Sequence, residues 1–316
     1  RREKMTVGVI GAANMDITAK SFNPIIDADS NIGKVSKAPG GVARNIASAL
    51  KAMGFDVSFL TALANDQYGI QIAKDIEEEG ITLTQGLLDN GNYSTGIYCC
   101  IMDGDGSLVC AVNDMEINET LSPALIEQHK AFLESCDYVV FDANLPLETI
   151  KALSCLDVKL VADCVSVSKA SKLSEVLENL YLIKANFAEA CVLAEEDGLS
   201  YDSDALDNVM QALVAKGLRR AIISLGKNGA FCYEVSGLGT KGFDARVLPD
   251  LNVVSANGCG DVLLAGFLRA LSEGAPFMAS LYFGMAASGI NAESVRAVSP
   301  ELNIDYIKKR AEKYYE

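Results

Sequence analysis

Short, continuously apolar segments recur along the chain and alternate with longer amphipathic ones. The first is TVGVIGA (Thr6 to Ala12), and runs of similar length follow in VSFLTAL, YVVFDA, KLVADCV, LYLIKAN and RAIISLG. Between most of them lie helix-length stretches such as GVARNIASALKAMG and QYGIQIAKDIEEEG, each of which ends on glycine, a common helix stop. This alternation predicts an α/β fold whose mostly parallel central sheet is covered by helices on both faces.

Two segments in the first third of the chain interrupt the alternation. Residues 18–41 are polar and rich in turn-forming residues, and in residues 94–117 two strand-like runs flank the turn residues Asp103 to Gly106. We expect these segments to form a small β lid, contributed by about residues 13–39 and 93–116. No repeat or linker divides the chain, so we predict a single domain over residues 1–316.

Composition narrows the range of partners. The formal net charge is −15, which disfavours nonspecific binding to nucleic acid or to an anionic membrane, and no apolar stretch approaches the length of a membrane span. The nine scattered cysteines contain no C-x-x-C pair, which is typical of reduced thiols in a cytoplasmic protein. The single histidine, His129, lies in a predicted surface helix outside every motif, and we do not expect it to act as a base.

The most informative stretch is SANGCGDVLLAGFL, in which Gly258, Cys259 and Gly260 precede Asp261 and an apolar helix. A glycine loop that leads into a helix presents free N–H groups and the positive end of the helix dipole, which suits a phosphoryl group in transfer. A carboxylate beside such a loop can take the proton of an attacking hydroxyl. The alternative is that Asp261 caps the helix and the glycines form a tight turn; the motif alone leaves the two interpretations about even.

Two further motifs have polar groups where a substrate would lie. In APGGVARNIASALKAMG, Gly40 and Gly41 allow close approach of the backbone to a ligand, and Asn45 offers donors and an acceptor. In GAANMD, which ends the first strand, Asn14 and Asp16 could grip the vicinal hydroxyls of a sugar. Alone, the first motif would favour a simple turn and helix boundary. The second lacks the G-x-G-x-x-G spacing of a dinucleotide site, which argues against an oxidoreductase.

Two motifs later in the chain are suited to a nucleotide and its metal. Asn186 and Glu189 in LIKANFAEA are spaced i, i+3, and an amide with a carboxylate suits Mg²⁺ and its waters. The turn SLGKNGA, with Gly226 and Gly229, could cradle a phosphate. Each has a structural alternative: a solvated helix face for the first, a hairpin turn for the second.

Taken in this order, the motifs resemble the ribokinase-like (PfkB-type) carbohydrate kinase family. The resemblance extends over nearly the whole chain, from GVIGAANMD through GGVARN, NFAE and SLGKNG to NGCGD. Within the family, DADSNIGK, APGGVARNIA and AVNDMEI are most similar to the pseudouridine kinases. The implied activity is ATP-dependent, Mg²⁺-requiring phosphorylation of the 5′-hydroxyl of a ribosyl substrate. Pseudouridine is the substrate that the resemblance favours. A kinase for ribose or another nucleoside or sugar and a catalytically inactive nucleoside-binding protein stay open as alternatives.

The resemblance also implies a role for each motif. Asp261 is the expected general base, the amides of residues 258–260 the anion hole, and Glu189 the residue that holds Mg²⁺ through water. The other implied contacts are Asn14, Asp16, Asn31, Gly40, Gly41, Asn45 and Asn113 for the substrate, and Asn186, Ser224, Gly226, Gly229 and Asn257 for ATP. The β lid is expected to close over the sugar and to pair with a second copy in a homodimer. The family often uses K⁺, and because its ligands are largely backbone carbonyls the sequence leaves that requirement open.

Four residues depart from the family pattern. The last motif commonly reads Thr-Gly-Ala-Gly-Asp, whereas this chain has Asn257 and Cys259. Ala185 replaces the proline that usually precedes the phosphate-site asparagine, and Cys164 stands where a proline usually follows the mid-chain aspartate. Because the anion hole needs only the backbone N–H of residue 259, these departures concern loop geometry more than chemistry.

Overall fold

A computed structural model describes residues 5–84, 93–196 and 200–315. Thirteen β-strands lie in these residues: β1 (Thr6–Ile10), β2 (Asn14–Ser21), β3 (Gly33–Gly40), β4 (Asp56–Leu60), β5 (Thr82–Leu83), β6 (Ile97–Met102), β7 (Leu108–Asp114), β8 (Tyr138–Asp142), β9 (Leu160–Asp163), β10 (Leu182–Asn186), β11 (Arg220–Ser224), β12 (Ala230–Ser236) and β13 (Gly239–Ala245). The α-helices in the same residues are α1 (Val42–Ala52), α2 (Gln67–Glu78), α3 (Pro123–Ser135), α4 (Leu147–Ser154), α5 (Val167–Ala170), α6 (Phe187–Ala194), α7 (Ser203–Ala215), α8 (Cys259–Ser272), α9 (Phe277–Ala292) and α10 (Ile304–Tyr315).

Nine of the strands form one sheet in the order β13-β12-β11-β10-β9-β8-β1-β4-β5. Within this sheet, the seven strands β11, β10, β9, β8, β1, β4 and β5 are parallel to one another. The strands β12 and β13 add an antiparallel edge beside β11. The central strands are apolar on both sides because helices cover both faces: α1, α2, α8 and α9 pack on one, and α3, α4, α6 and α7 on the other. The predicted α/β class is confirmed.

The helices follow the predicted amphipathic pattern. In α1, Ile46, Leu50 and Met53, at the end of the helix, are fully buried at spacings of four and three residues, which place them on one face. The backbone then turns at Gly54, whose φ of 86° is readily adopted only by glycine. The helix therefore ends where the sequence predicts.

The remaining four strands form a second sheet in the order β3-β2-β6-β7, and they lie within one residue of the ranges predicted for the lid. The hairpin between β6 and β7 is confirmed: the strands are antiparallel, Asp103 N–H donates to the Ser107 carbonyl, and Gly106 N–H donates back to the Asp103 carbonyl. We call this four-stranded sheet the lid sheet. In the part of the chain that the structure describes, no helix is long and apolar enough to cross a membrane. All nine cysteines are free thiols.

Parallel strands bring their carboxyl ends to one edge of the sheet, and polar residues end four neighbouring strands there. These residues are Asp142 on β8, Asp163 on β9, Asn186 on β10 and Ser224 on β11. Asp142 and Asp163 are direct neighbours across the strands, as are Asn186 and Ser224. This edge is where ligands bind in open α/β sheets.

Candidate active site

The loop before α8 has a backbone that only glycine accommodates. Gly258 is the N-cap of the helix with φ 72°, and a Cβ at this position would collide with the carbonyl oxygen of Ala297. Cys259 N–H donates to the Ala256 carbonyl at 3.3 Å, whereas within the described residues no backbone carbonyl accepts from Gly258 or Gly260 N–H. Two of the three amides predicted for the anion hole are therefore open at the positive end of α8.

Asp261 lies in the first turn of α8, buried at 6 % exposure. Asn45 Nδ2 donates to its carboxylate at 3.0 Å. Burial, and after it the negative charge of Asp163, raise the pKa of Asp261 to about 7, against the opposing effects of Lys184 and Asn45. The N-cap residue of α8 is Gly258, and Asp261 lies three positions farther along the helix, so Asp261 is not the N-cap. A carboxylate with a pKa near neutrality suits a general base.

Sequence reasoning missed Lys184, which lies between the carboxylates of this site. Its Nζ is 3.1 Å from Asp163 Oδ2, and both side chains are buried. A Cβ at Gly260 would lie 2.6 Å from Lys184 Nζ, so the ammonium group rests against the first turn of α8. Burial lowers the pKa of Lys184, but Asp163, Asp261 and Glu189 together raise it above its ordinary value, and the group stays charged.

Asp142, also missed, ties the first strand to α1. Its carboxylate is fully buried and accepts from Ala12 N–H at 3.3 Å, Ala43 N–H at 3.0 Å and Asn144 Nδ2 at 3.0 Å. Burial raises the pKa of Asp142 to about 6, against the effect of these hydrogen bonds. Because a Cβ at Gly11 would lie 2.7 Å from this carboxylate, the strand end needs glycine there. Asp142 thus holds in place the two backbone segments that carry the predicted sugar-binding residues.

Five predicted sugar-binding residues meet at the start of α1. Asn14 Nδ2 donates to Asp16 Oδ1 at 2.6 Å, and burial raises the pKa of Asp16. Gly40 is paired with Asn14 across the strands, and a Cβ there would collide with the Asp16 carboxylate. Gly41, with φ 103°, is the N-cap of α1, and its carbonyl oxygen accepts a hydrogen bond from Asn45 N–H at 2.9 Å. The structure therefore brings these residues together with Asp261.

The register of the lid sheet places a further residue in line with Asp16. Ala38, Asp16, Tyr98 and Asn113 are successive partners across all four strands, so their side chains share one face. Tyr98 is half-buried and was not predicted, although it lies in the predicted hairpin. Asn113 is exposed on β7, on the same face as Asp16.

The structure places Asn31 away from these residues. It is exposed, its Nδ2 donates to the carbonyls of Ile26 and Asp29, and its Oδ1 accepts from Ile26 N–H. The side chain thus closes the turn before β3 and is not among the residues that the structure brings together.

Asn186 and Glu189 form a capping box at the start of α6. Glu189 N–H donates to Asn186 Oδ1 at 2.9 Å, and the Glu189 carboxylate accepts from Asn186 N–H and Nδ2, both at 2.8 Å. Glu189 is 3 % exposed, so the solvated-face interpretation is wrong, and burial raises its pKa. No group of three or more His, Cys, Asp and Glu residues in the described ranges is arranged to hold a metal ion directly. This oxygen-rich site fits Mg²⁺ held largely by water and ATP phosphates.

The turn after β11 is a hairpin, because β12 runs antiparallel to β11. This is the alternative to a phosphate-binding turn that the sequence left open. It also lies at the ligand edge of the sheet, where Ser224 is the strand neighbour of Asn186. Gly226 has φ 58° and open space around it, while a Cβ at Gly229 would collide with the Ala245 carbonyl. A hairpin in this position can also contact a nucleotide.

A comparison with protein families identifies the family to which the chain belongs. The model of the pfkB family carbohydrate kinases matches residues 5–303. The chain belongs to this family. ATP is therefore its expected co-substrate, and the site at the start of α8 is the candidate active site.

Two relatives and one solved structure show how far the similarity goes. The chain is 29 % identical to the pseudouridine kinase of Escherichia coli over 306 residues, which cover 96 % of this chain and 95 % of the relative. It is 26 % identical to the guanosine-inosine kinase of Exiguobacterium acetylicum, with 94 % and 97 % covered. The structure of Arabidopsis thaliana ribokinase complexed with ribose and ATP superposes with a TM-score of 0.84 at 18 % identity, covering 98 % of this chain and 99 % of that one. The ribokinase-like fold is confirmed.

The departures from the family pattern are accommodated locally. The Cys259 thiol lies 3.7 Å from the Ser255 carbonyl oxygen and 3.9 Å from Asn291 Nδ2, and burial raises its pKa. The thiol thus packs toward α9 and stays protonated. Cys164 N–H donates to the Lys184 carbonyl at 3.2 Å, a bond that the usual proline could not make.

A cavity of about 890 Å³ extends from the lid sheet to the loop before α8. Its lining includes Asp16 and Asn257 but not Asp261, Tyr98 or Asn113, so it borders the predicted sugar site at Asp16 and the predicted ATP contact at Asn257. Cavities of this size hold molecules of nucleoside size.

Proposed function

We propose that this PfkB-type kinase transfers the γ-phosphoryl group of ATP to the 5′-hydroxyl of a ribosyl nucleoside, with pseudouridine as the preferred substrate. The observation that carries the proposal is the buried Asp261 at the open start of α8, which is hydrogen-bonded to Asn45, one of the predicted sugar-binding residues. The similarity to the pseudouridine kinase of E. coli supports the choice of nucleoside.

The site can perform the transfer with its own groups. Asn45 donates to Asp261, and its Oδ1 is buried without a partner among the described residues, so it can accept a hydrogen bond from a sugar hydroxyl. Asp261 takes the proton of the attacking 5′-hydroxyl. The Gly258 and Gly260 amides and the Lys184 ammonium stabilise the charge of the moving phosphoryl group.

Mg²⁺, when bound with ATP, neutralises phosphate charge. Asn186 and Glu189 are the residues that would orient its waters, since they lie where β10 reaches the ligand edge. Potassium dependence and cytoplasmic location stay predictions.

Replacing Glu189 with glutamine is expected to raise the Mg²⁺ concentration needed for half-maximal activity by about 10-fold or more, because a neutral amide orders the hydrated ion poorly. The measurement is a Mg²⁺ titration of initial rate. Glu195→Gln, at the exposed far end of the same helix, is the matched control and should leave the titration unchanged. An unchanged profile for Glu189→Gln would assign this residue to the capping box alone.

The lid sheet offers a way to recognise a base. Neighbouring strands are about 4.8 Å apart, so Asp16 on β2 and Asn113 on β7 are separated by about 10 Å across Tyr98. This distance is similar to that from the ribose hydroxyls to the far edge of a pyrimidine. We infer that Asp16 binds the ribose hydroxyls, that the Tyr98 ring lies against the base, and that Asn113 contacts its edge.

A substrate panel tests this assignment. We expect pseudouridine to give the highest kcat/KM among pseudouridine, uridine, cytidine, adenosine, guanosine, inosine and ribose. Pseudouridine has a ring N–H that uridine lacks, and a site that pairs this donor loses about 1–3 kcal/mol with uridine. Asn113→Ala should reduce the preference over uridine by about 10-fold or more, while Asn31→Ala should preserve it. A preference for guanosine or inosine would favour the second candidate, a purine nucleoside kinase, to which the similarity with the guanosine-inosine kinase points.

The opposite face of the lid sheet supports the proposed homodimer. Val35, Ala19, Ile101 and Cys110 form one row across the four strands, and Val112 lies on the same face. Val35, Ile101 and Val112 are 62, 41 and 72 % exposed, an apolar surface that a second copy would cover.

A Val35→Asp/Val112→Asp double variant is therefore expected to be monomeric at micromolar concentration, where the wild type is dimeric, as measured by light scattering. Buried charges without partners disfavour the contact. Leu238→Asp, an equally drastic change at an 89 % exposed position in the turn between β12 and β13, should leave the dimer intact. A monomeric wild type would contradict the dimer and leave the kinase proposal standing.

A further inference from the structure

Asn291 is a fully buried polar residue near the end of α9 that belongs to none of the sequence motifs. Its Nδ2 donates to the Asn257 carbonyl at 3.2 Å and to the Ala297 carbonyl at 3.0 Å, and its Oδ1 accepts from Ser299 N–H at 2.8 Å. Both donors and the acceptor oxygen of the side-chain amide are thus used.

These bonds act on the loop that forms the anion hole. The Asn257 carbonyl and the Gly258 N–H belong to the same planar peptide unit, so fixing the carbonyl also fixes the direction of the N–H. The second acceptor, the Ala297 carbonyl, is the group against which Gly258 packs. The Asn291 side chain therefore fixes both the Asn257 carbonyl and the Ala297 carbonyl. Through the first of these it also fixes the direction of the Gly258 N–H.

We propose that Asn291 is a positioning residue for phosphoryl transfer: it orients the 257–258 peptide so that Gly258 N–H faces the transferred group. The proposal rests on the function proposed above. An amide suits the position, because an aspartate has the same shape but cannot donate to two carbonyls, and an alanine removes the donor from both carbonyls.

Asn291→Asp separates this role from packing, since it keeps the shape and the acceptor for Ser299 N–H but removes both donations. The matched control is Ser280→Ala, which removes another fully buried polar group of α9, whose hydroxyl donates to the Pro276 carbonyl within the same helix. For each protein, kcat, KM, thermal unfolding and the binding of MgADP with and without aluminium fluoride are measured. Aluminium fluoride with MgADP mimics the transferred phosphoryl group.

We expect Asn291→Asp to lower kcat by about 10- to 100-fold, below the full loss of an oxyanion donor. The KM for nucleoside should change by less than about 2-fold, since the substitution removes none of the predicted sugar contacts. Aluminium fluoride should strengthen MgADP binding less than in the wild type. Ser280→Ala should change the unfolding temperature alone.

A folded Asn291→Asp variant with wild-type kcat and a wild-type response to aluminium fluoride overturns the inference, even if its unfolding temperature falls. If Asn291→Asp does not fold, Asn291→Ser, which keeps one donor, is judged by the same criterion. A wild type without nucleoside-dependent turnover overturns the proposed function and this inference with it, whereas an active wild type with an equally active variant overturns the inference alone.

Discussion

Replacing Asp261 with asparagine is expected to lower kcat by a factor on the order of 10² to 10⁴, the usual cost of losing a general base. The amide keeps the shape of the side chain but cannot take the proton of the attacking hydroxyl. Binding of nucleoside and ATP, measured by calorimetry, should persist, because neither the cavity nor the lid sheet changes. Near-wild-type turnover by a folded variant would remove Asp261 from the mechanism.

The ionisation of Asp261 provides an independent check. With a pKa of about 7, wild-type kcat/KM should fall as the pH drops below 7 and the carboxylate is protonated. Folding has the opposite dependence: the folded pKa lies above the ordinary 3.8, so the stabilisation present below pH 4 is lost as the pH rises through 7. At pH 8, Asp261→Asn should therefore unfold at the same or a higher temperature than the wild type. A lower temperature would indicate that the activity loss reflects a damaged fold.

Replacing Lys184 with methionine is expected to reduce the free energy of unfolding by about 3–5 kcal/mol, because it leaves the Asp163 carboxylate, 1 % exposed, without its ion-pair partner. Turnover should also fall, since the ammonium group lies against Gly260 in the predicted anion hole. Denaturant unfolding and ATP turnover measure the two effects.

The double variant Lys184→Met/Asp163→Asn separates stability from catalysis. Removing both charges should restore most of the lost stability, because position 163 no longer carries a buried charge without its partner. It should not restore turnover, because the positive charge beside the phosphoryl site is still missing. Full recovery of turnover in the double variant would show that Lys184 serves only the ion pair, and a loss below 1 kcal/mol in the single variant would contradict its structural role.

The sequence predicts those parts of the molecule that depend on local pattern. Continuous apolar runs predict buried parallel strands, and the glycines before Asp261 predict a backbone that needs positive φ, as Gly258 shows. The hairpin at Asp103 to Gly106 follows from turn chemistry alone. Each of these features is formed by residues that are close together in the sequence, so the residue types alone determine the local backbone.

Partnerships across strands were not predictable in this way. Lys184 interrupts an apolar strand, and a charge there signals a buried partner, but only the strand order identifies Asp163 as that partner. Likewise, Tyr98 joins Asp16 and Asn113 through the register of two strand pairs, and a bulge follows in the same strand at Ile101 and Met102. A shift of one residue would turn Tyr98 to the other face.

The central claim is that Asp261 promotes transfer of the γ-phosphoryl group to a nucleoside 5′-hydroxyl. The direct measurement is incubation of the protein with ATP, Mg²⁺ and pseudouridine, followed by ³¹P NMR of the products. We predict one new phosphate monoester whose phosphorus couples to the 5′-methylene protons, formed in equal amount to ADP by the wild type and at a strongly reduced rate by Asp261→Asn. Nucleoside binding without nucleoside-dependent ADP formation, or phosphate on another hydroxyl, would contradict the account.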